Sequence, residues 1–179
     1  MIITNNEEIL RVNCEDVLPD EVGNLVSLLE SELDRANRLG RGGIGLAAPQ
    51  IGIAKKIAII RLDKARNISF DLVNCKIVKS YDPCIFRDEG CLSFPGRIEN
   101  TTRFQEIYVT NNLVYPHSFI ATGLTSVVCQ HEIDHLSGTL FMDRLANTPT
   151  SIKKNKLGPN DLCNCGSNKK YKKCCSRII

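Results

Sequence analysis

No run of about 18 consecutive apolar residues occurs in this 179-residue sequence, which excludes an ordinary membrane-spanning helix. The opening stretch, Met1-Ile2-Ile3-Thr4-Asn5-Asn6-Glu7-Glu8, lacks the basic and apolar regions of a secretory signal and the arginines of a transit peptide. A cytoplasmic protein is therefore expected. Tryptophan is absent, and histidine is scarce, with only His117, His131 and His135. Cysteine is not scarce: there are nine, an odd number with no export signal beside them. That combination argues against a disulfide framework and for thiolates that bind metal in a reducing compartment. Cys14, Cys75, Cys84, Cys91 and Cys129 are scattered, whereas Cys163, Cys165, Cys174 and Cys175 crowd together.

Charge is unevenly spread. Residues 151–179 hold eight Lys and Arg against the single acid Asp161, so that stretch carries +7 and the first 150 residues −4. An acidic body with a basic end suggests that the end meets something anionic. The length suits one domain with a small appendage. The polar run Asn147-Thr148-Pro149-Thr150-Ser151 reads as a linker, which gives a body at 1–146, a linker at 147–157 and a tail at 158–179.

Within the body, Val22, Leu25, Val26, Leu28, Leu29 and Leu33 recur at helical spacing and predict a helix over residues 20–39, ended by Gly40-Arg41-Gly42-Gly43. Ile57-Ala58-Ile59-Ile60 reads as a short buried strand, and residues 70–78 and 105–110 as further strands, with Ile107 and Val109 inward. Asn111-Asn112 marks a turn, after which residues 118–122 complete a hairpin. Residues 123–136 form a second helix, stopped by Gly138, and Leu140-Phe141-Met142 docks after it.

That second helix carries His131-Glu132-Ile133-Asp134-His135. Two imidazoles four residues apart share one helix face, close enough to grip one divalent ion, with Glu132 beside them to take a proton from water. Such a pair needs at least one more protein ligand. Downstream, Asp143 follows the helix too closely and Asp161 lies in the basic tail. Upstream, Glu89-Gly90-Cys91-Leu92-Ser93 offers a thiolate in a glycine-containing loop.

Three segments in order, Gly43-Ile44-Gly45-Leu46-Ala47-Ala48-Pro49-Gln50, Glu89-Gly90-Cys91-Leu92-Ser93 and Gln130-His131-Glu132-Ile133-Asp134-His135, resemble the signature motifs of peptide deformylases. The likeness spans roughly residues 1–145. It implies an α+β fold, with antiparallel sheets around a central helix that bears the two histidines; a small zinc-binding tail is expected beyond it on separate grounds. It implies that Cys91, His131 and His135 hold the metal, Fe2+ before Zn2+, Ni2+ or Co2+. A water activated on that metal would attack the formyl carbon of an N-formylmethionyl nascent peptide, with Glu132 as base and then acid. Gln50 and the Leu92 N–H would hold the oxyanion. Ile44, Gly45 and Gly90 would offer backbone to the extended peptide, and Ile44, Leu124, Val127, Val128 and His131 would line the methionine pocket.

The chain departs from that family at Cys75, where a proline is usual, in the strand of residues 97–103, which lacks its usual proline, and at the turn Asn111-Asn112-Leu113-Val114-Tyr115-Pro116. A zinc endopeptidase is disfavoured by the absence of an acidic ligand downstream. A binding module without activity is disfavoured because a binder has no use for Glu132.

In the tail, Cys163-Asn164-Cys165 and Cys174-Cys175 resemble the SEC-C module, and four thiolates would hold a second Zn2+. Lys169, Lys170, Lys172 and Lys173 surround them, so docking to the ribosome or its rRNA is expected, the alternative being that they only solubilise the tail. No membrane partner is expected, and the protein should be a monomer. His117 is read as a surface residue, and Cys14, Cys75, Cys84 and Cys129 as buried or partly buried thiols. Asp134 is assigned a supporting or helix-surface contact. Glu89 either caps its loop or pairs with Arg97 or Arg103.

Overall fold

A computed structural model describes residues 1–63, 68–146, 159–160 and 170–173. A short helix, α1 (Glu7–Leu10), precedes the long α2 (Val22–Arg38). Leu29, Leu33 and Ala36 fall at successive i+4 and i+3 steps and form its buried face. Arg35 and Arg38 sit in its last turn, where cations suit the helix dipole, and Gly40 ends it in the left-handed region at φ 76.

The first sheet takes β1 (Gly45–Ala47), β2 (Ile57–Asp63) and β3 (Ile68–Val73) in that order, antiparallel throughout. The run Ile57-Ala58-Ile59-Ile60 is wholly buried because each face of β2 meets a helix. Ile57 and Ile59 pack with Leu29 and Leu33 of α2. Ala58 and Ile60 face the other way, into a core with Val128, Cys129 and Leu136. Continuous apolarity thus marks a strand sandwiched between two layers.

The second sheet holds β4 (Lys76–Gly90), β5 (Ile98–Thr110) and β6 (Ser118–Thr122), again antiparallel and in chain order. The helix α3 (Gly123–Leu136) lies between the sheets, against Ile107, Val109 and Ala121 on one side and Ala58 and Ile60 on the other. It is buried nearly all round, as suits a helix inside a core.

The expected single strand at 70–78 is two strands in different sheets. The chain turns at Asn74, whose φ of 46 is one that asparagine tolerates, and its side chain bonds the Val17 N–H and C=O at 2.8 and 3.0 Å. Asn111, at the same end of the second sheet, ties it to the first by accepting from Val73 N and donating to Asp71 O, both at 2.8 Å. The hairpin of β5 and β6 forms as expected, with Thr110 opposite Ser118.

The termini of the body clamp each other. Arg11 makes a two-pronged pair with Asp143 at 2.7 and 3.0 Å, and Asp143 also accepts from Leu140 N at 2.8 Å. Gly138 stops α3 at φ 69 where the backbone of Arg11 passes, and a Cβ there would lie 2.7 Å from the Arg11 carbonyl oxygen. Leu140 and Phe141 dock beyond it, fully buried. No helix among the described residues is long and apolar enough to cross a membrane. The cysteines of the tail and the linker at 147–157 lie outside the described residues.

Candidate metal centre

The helix α3 is fixed in rotation by its own polar side chains. Gln130 accepts from Phe104 N at 3.0 Å and donates to Phe104 O at 2.9 Å, which bonds the helix to β5 like an added strand residue. With that face turned to β5, His131 and His135 meet edge to face, their ring centres 5.0 Å apart. Cys91 follows β4 in the loop that carries Leu92 and Ser93. Its Sγ lies 3.3 Å from Nε2 of His135. One donor atom from each of Cys91, His131 and His135 lies within 4.8 Å of the others.

That set fits a metal ion. A thiolate and two imidazoles bind at about 2.0–2.3 Å from a shared ion, which leaves a position for water or substrate. His131 presents Nε2 to the cluster because its Nδ1 is engaged, 2.7 Å from Oε1 of Glu89. Nδ1 of His135 is buried and has no hydrogen-bond partner among the described residues. Burial pulls the pKa of both imidazoles down. At His131 the hydrogen bonds and charges of Cys91 and Glu89 more than reverse this, while at His135 nothing does.

Glu89 anchors the cluster from behind. Its two oxygens accept from both prongs of Arg103, at 2.9 and 2.6 Å, from His131, and from the Thr101 hydroxyl. Burial pushes its carboxyl pKa up, but His131 and Arg103 overcome that and hold it well below the usual carboxylate range. Arg103, only 2% exposed, continues to Asp134 at 2.6 Å, and Arg144 closes the far side of Asp134 at 2.8 Å. Of the two arginines weighed as partners for Glu89, Arg103 takes the place, and Arg97 pairs with Glu99.

Glu132 is as buried as Glu89 but not as well bonded: among the described residues its Oε2 has no hydrogen-bond partner. Burial pushes its carboxyl pKa up to about 7, against the opposing charge of His131. Its carboxylate rests on the backbone of β1 at Gly45, where any Cβ would collide with it. Gln50, in the 3-10 turn Ala48–Ile51, accepts from Ala47 N at 2.8 Å and donates to Cys91 Sγ at 3.4 Å and Ser93 Oγ at 3.2 Å. It is thereby aimed at the cluster.

The remaining residues named from sequence fall around this centre or apart from it. Leu124 and Val127 precede His131 by seven and four positions on α3 and so share its face. Val128 joins Ile44 and Leu124 in the core between the sheets. Leu92 packs with the α2 core, and Gly90 is exposed at the end of β4. His117 is exposed, Cys14, Cys75 and Cys129 are buried, and burial pushes the Cys75 thiol up to about 12. Thr101 was not singled out by sequence. Its signal was there: it has the same strand parity as Arg103, Ile107 and Val109, all inward.

Comparison with known proteins agrees with this geometry. The family model described as polypeptide deformylase matches residues 1–150, and the SEC-C motif matches residues 160–177. A peptide deformylase of Helicobacter pylori (strain Shi470) is 33% identical over 161 residues, 85% of this chain and 89% of its own. One from Heliobacterium modesticaldum is 44% identical over 108 residues, 59% of this chain and 68% of its own. Among solved structures, the peptide deformylase of Thermotoga maritima superposes with a TM-score of 0.69 at 29% identity, over 82% of this chain and 97% of that one. A probable peptide deformylase from synechococcus phage S-SSM7 gives 0.70 at 32% identity, over 81% and 99%.

Proposed function

We propose, since this chain belongs to the polypeptide deformylase family, that Cys91, His131 and His135 hold its metal and Glu132 moves the protons. The enzyme is a peptide deformylase, a metallohydrolase that removes the N-terminal formyl group from nascent peptides. The observation that carries the assignment is the meeting of a thiolate and two imidazoles beside a buried carboxylate whose Oε2 has no partner among the described residues. A thiolate with two imidazoles suits Fe2+, Zn2+, Ni2+ or Co2+ by ligand type. The likeness to peptide deformylases favours Fe2+.

A divalent ion bound by these residues would supply an acidified water and a Lewis acid for the formyl oxygen. Glu132 would take a proton from the attacking water at Oε2 and deliver it to the amine nitrogen as the formyl C–N bond breaks. The water oxygen leaves in formate. The protein's part is timing: a base near 7 is ionised often enough to take the proton and acidic enough to return it. Gln50 turns an N–H, now shared with Cys91 and Ser93, toward the oxyanion, and the Leu92 N–H joins it.

Among the described residues β1 pairs only with β2, so its second edge is open to an extended peptide. Ile44 and Gly45 on that edge, and Gly90 across from it, supply backbone groups to the substrate. Leu124, Val127, Val128, Ile44 and His131 receive the methionine side chain. The body ends near residue 146, a linker runs over 147–157, and residues 158–179 form the tail. There Cys163, Cys165, Cys174 and Cys175 hold Zn2+, the lysines around them dock to the ribosome or its rRNA, and the enzyme is a cytoplasmic monomer.

Loading the full chain with Fe2+ or Ni2+ and assaying formate release from a formyl-methionyl peptide tests the reading. Release that a chelator abolishes and metal restores is expected; none from the loaded protein would overturn it. For the tail, co-sedimentation with ribosomes should weaken with salt and vanish when residues 151–179 are deleted. Unchanged sedimentation would contradict docking.

A further inference from the structure

Thr101 lies outside all three sequence motifs, yet its side chain reaches the support of the metal centre. It sits in β5 with no exposed surface, and its Oγ1 donates to Oε2 of Glu89 at 2.5 Å. A valine would fill the same space on a buried strand position and suit it better, because a buried hydroxyl costs stability unless it is bonded. The bond is therefore the feature that needs an explanation.

The geometry of β4 supplies part of it. Thr101 pairs with Phe86 in the ladder, after which the register shifts, so that Glu99 is opposite Glu89. Asp88 lies in that bulge in the left-handed region, at φ 57. A bulge re-aims the side chains that follow it, and here Glu89 turns into the core although the strand around it is largely exposed.

The fork of Arg103 comes from a long side chain that is shared with Asp134. Thr101 is different. Its side chain is stiff at χ1, and its backbone is pinned both by β4 and by a bridge to Leu145. It ties Oε2 to a fixed point on β5, so that Oε1 stays 2.7 Å from Nδ1 of His131.

We propose that Thr101 is a positioning residue of the metal centre: through Oε2 of Glu89 it fixes the ring of His131, and with it the hold on the metal. The inference rests on the assignment of His131 as a ligand. Removing the direct partner of a ligating histidine changes metal affinity by about 10–100-fold, and Thr101, acting one bond further out through Glu89, is expected at the lower end of that range.

The test uses the full chain loaded with Co2+, whose bond to the Cys91 thiolate gives an absorption band, and follows release of the ion to a chelator. Thr101→Val should shift the band and release Co2+ on the order of tenfold faster, whereas Thr101→Ser, which restores the hydroxyl, should match the wild type. Ile107→Val serves as a control for general loosening of the same strand. Should the valine variant not fold, Thr101→Ala takes its place. Release and band unchanged in the valine or alanine variant would overturn the proposal, as would acceleration equal to that of Ile107→Val. In either case a wild type that binds Co2+ and releases formate leaves the functional assignment standing. A wild type that binds no Co2+ at this centre would overturn both.

Discussion

No side chain can be added at Gly45 without displacing Glu132: the carboxylate of Glu132 occupies the space where a Cβ at position 45 would stand. Gly45 is expected to offer its backbone to the substrate, and the same lack of a side chain makes room for the base. β1 and α3 thus share the task of aiming Oε2.

Gly45→Ala is accordingly expected to displace the carboxylate while the three ligands stay in place. Proton transfer by a positioned base contributes about 10²–10⁴-fold, so a partial displacement should lower kcat by roughly tenfold to a hundredfold. Metal content should stay at that of the wild type. Loss of metal in parallel with kcat would show instead that β1 as a whole had moved.

Glu89→Gln should act on both stability and metal. It leaves Arg103 buried with one of its two carboxylate partners gone, a change that costs about 3–5 kcal/mol when an ion pair is broken inside a protein. Urea unfolding of the metal-free protein reads that loss separately from the weakened hold on the ion. A variant as stable as the wild type would contradict the role given to the Glu89–Arg103 pair.

The Arg11–Asp143 clamp sets part of the response to acid. The hydrogen bond from Arg11 lowers the Asp143 pKa, so the folded state holds its proton less tightly than the unfolded chain does. Stability from this pair is therefore present above about pH 4 and lost as pH falls through the folded value. Glu89, also lowered, adds to it with the same sign. The thermal midpoints of wild type and Asp143→Asn should differ at pH 7 and draw together near pH 3. An equal gap at both would mean the carboxylate charge is irrelevant to the clamp.

Gly138→Ala should destabilise more than an ordinary surface change. The left-handed backbone alone costs an alanine about 1–2 kcal/mol, and the Arg11 backbone must also move aside. Denaturant unfolding should show a loss of about 2 kcal/mol or more with no change in metal content. A neutral substitution would indicate that the two segments pack loosely.

The pair of histidines was legible because its information is local: two imidazoles four apart on a helix need no knowledge of the rest of the chain. Cys91, far upstream, was named beside them by the family resemblance, and the fold brings its sulfur to them. α2 and α3 were legible for the same reason, since their apolar spacing and glycine stops lie within a few residues of one another. β4 was not legible beyond its start. Its residues are exposed on most positions, and Arg87-Asp88-Glu89 gives no alternation, so its identity as a strand comes only from pairing with β5. The break at Asn74 was hidden by apolar residues on both sides of it. Which arginine meets Glu89 was likewise undecided in sequence, because the answer depends on a bulge that shifts the register by long-range pairing. Inward parity with Ile107 and Val109 was the one local sign of Arg103 and Thr101.

The account stands most directly on Glu132. In the full chain loaded with Fe2+ or Ni2+, Glu132→Gln removes the base while keeping the size and burial of the side chain. Formate release from a formyl-methionyl peptide should then fall by about 10²–10⁴-fold with metal content unchanged. A variant that keeps its metal and releases formate at the wild-type rate would contradict the central claim, that this buried carboxylate carries the proton from water to the leaving amine.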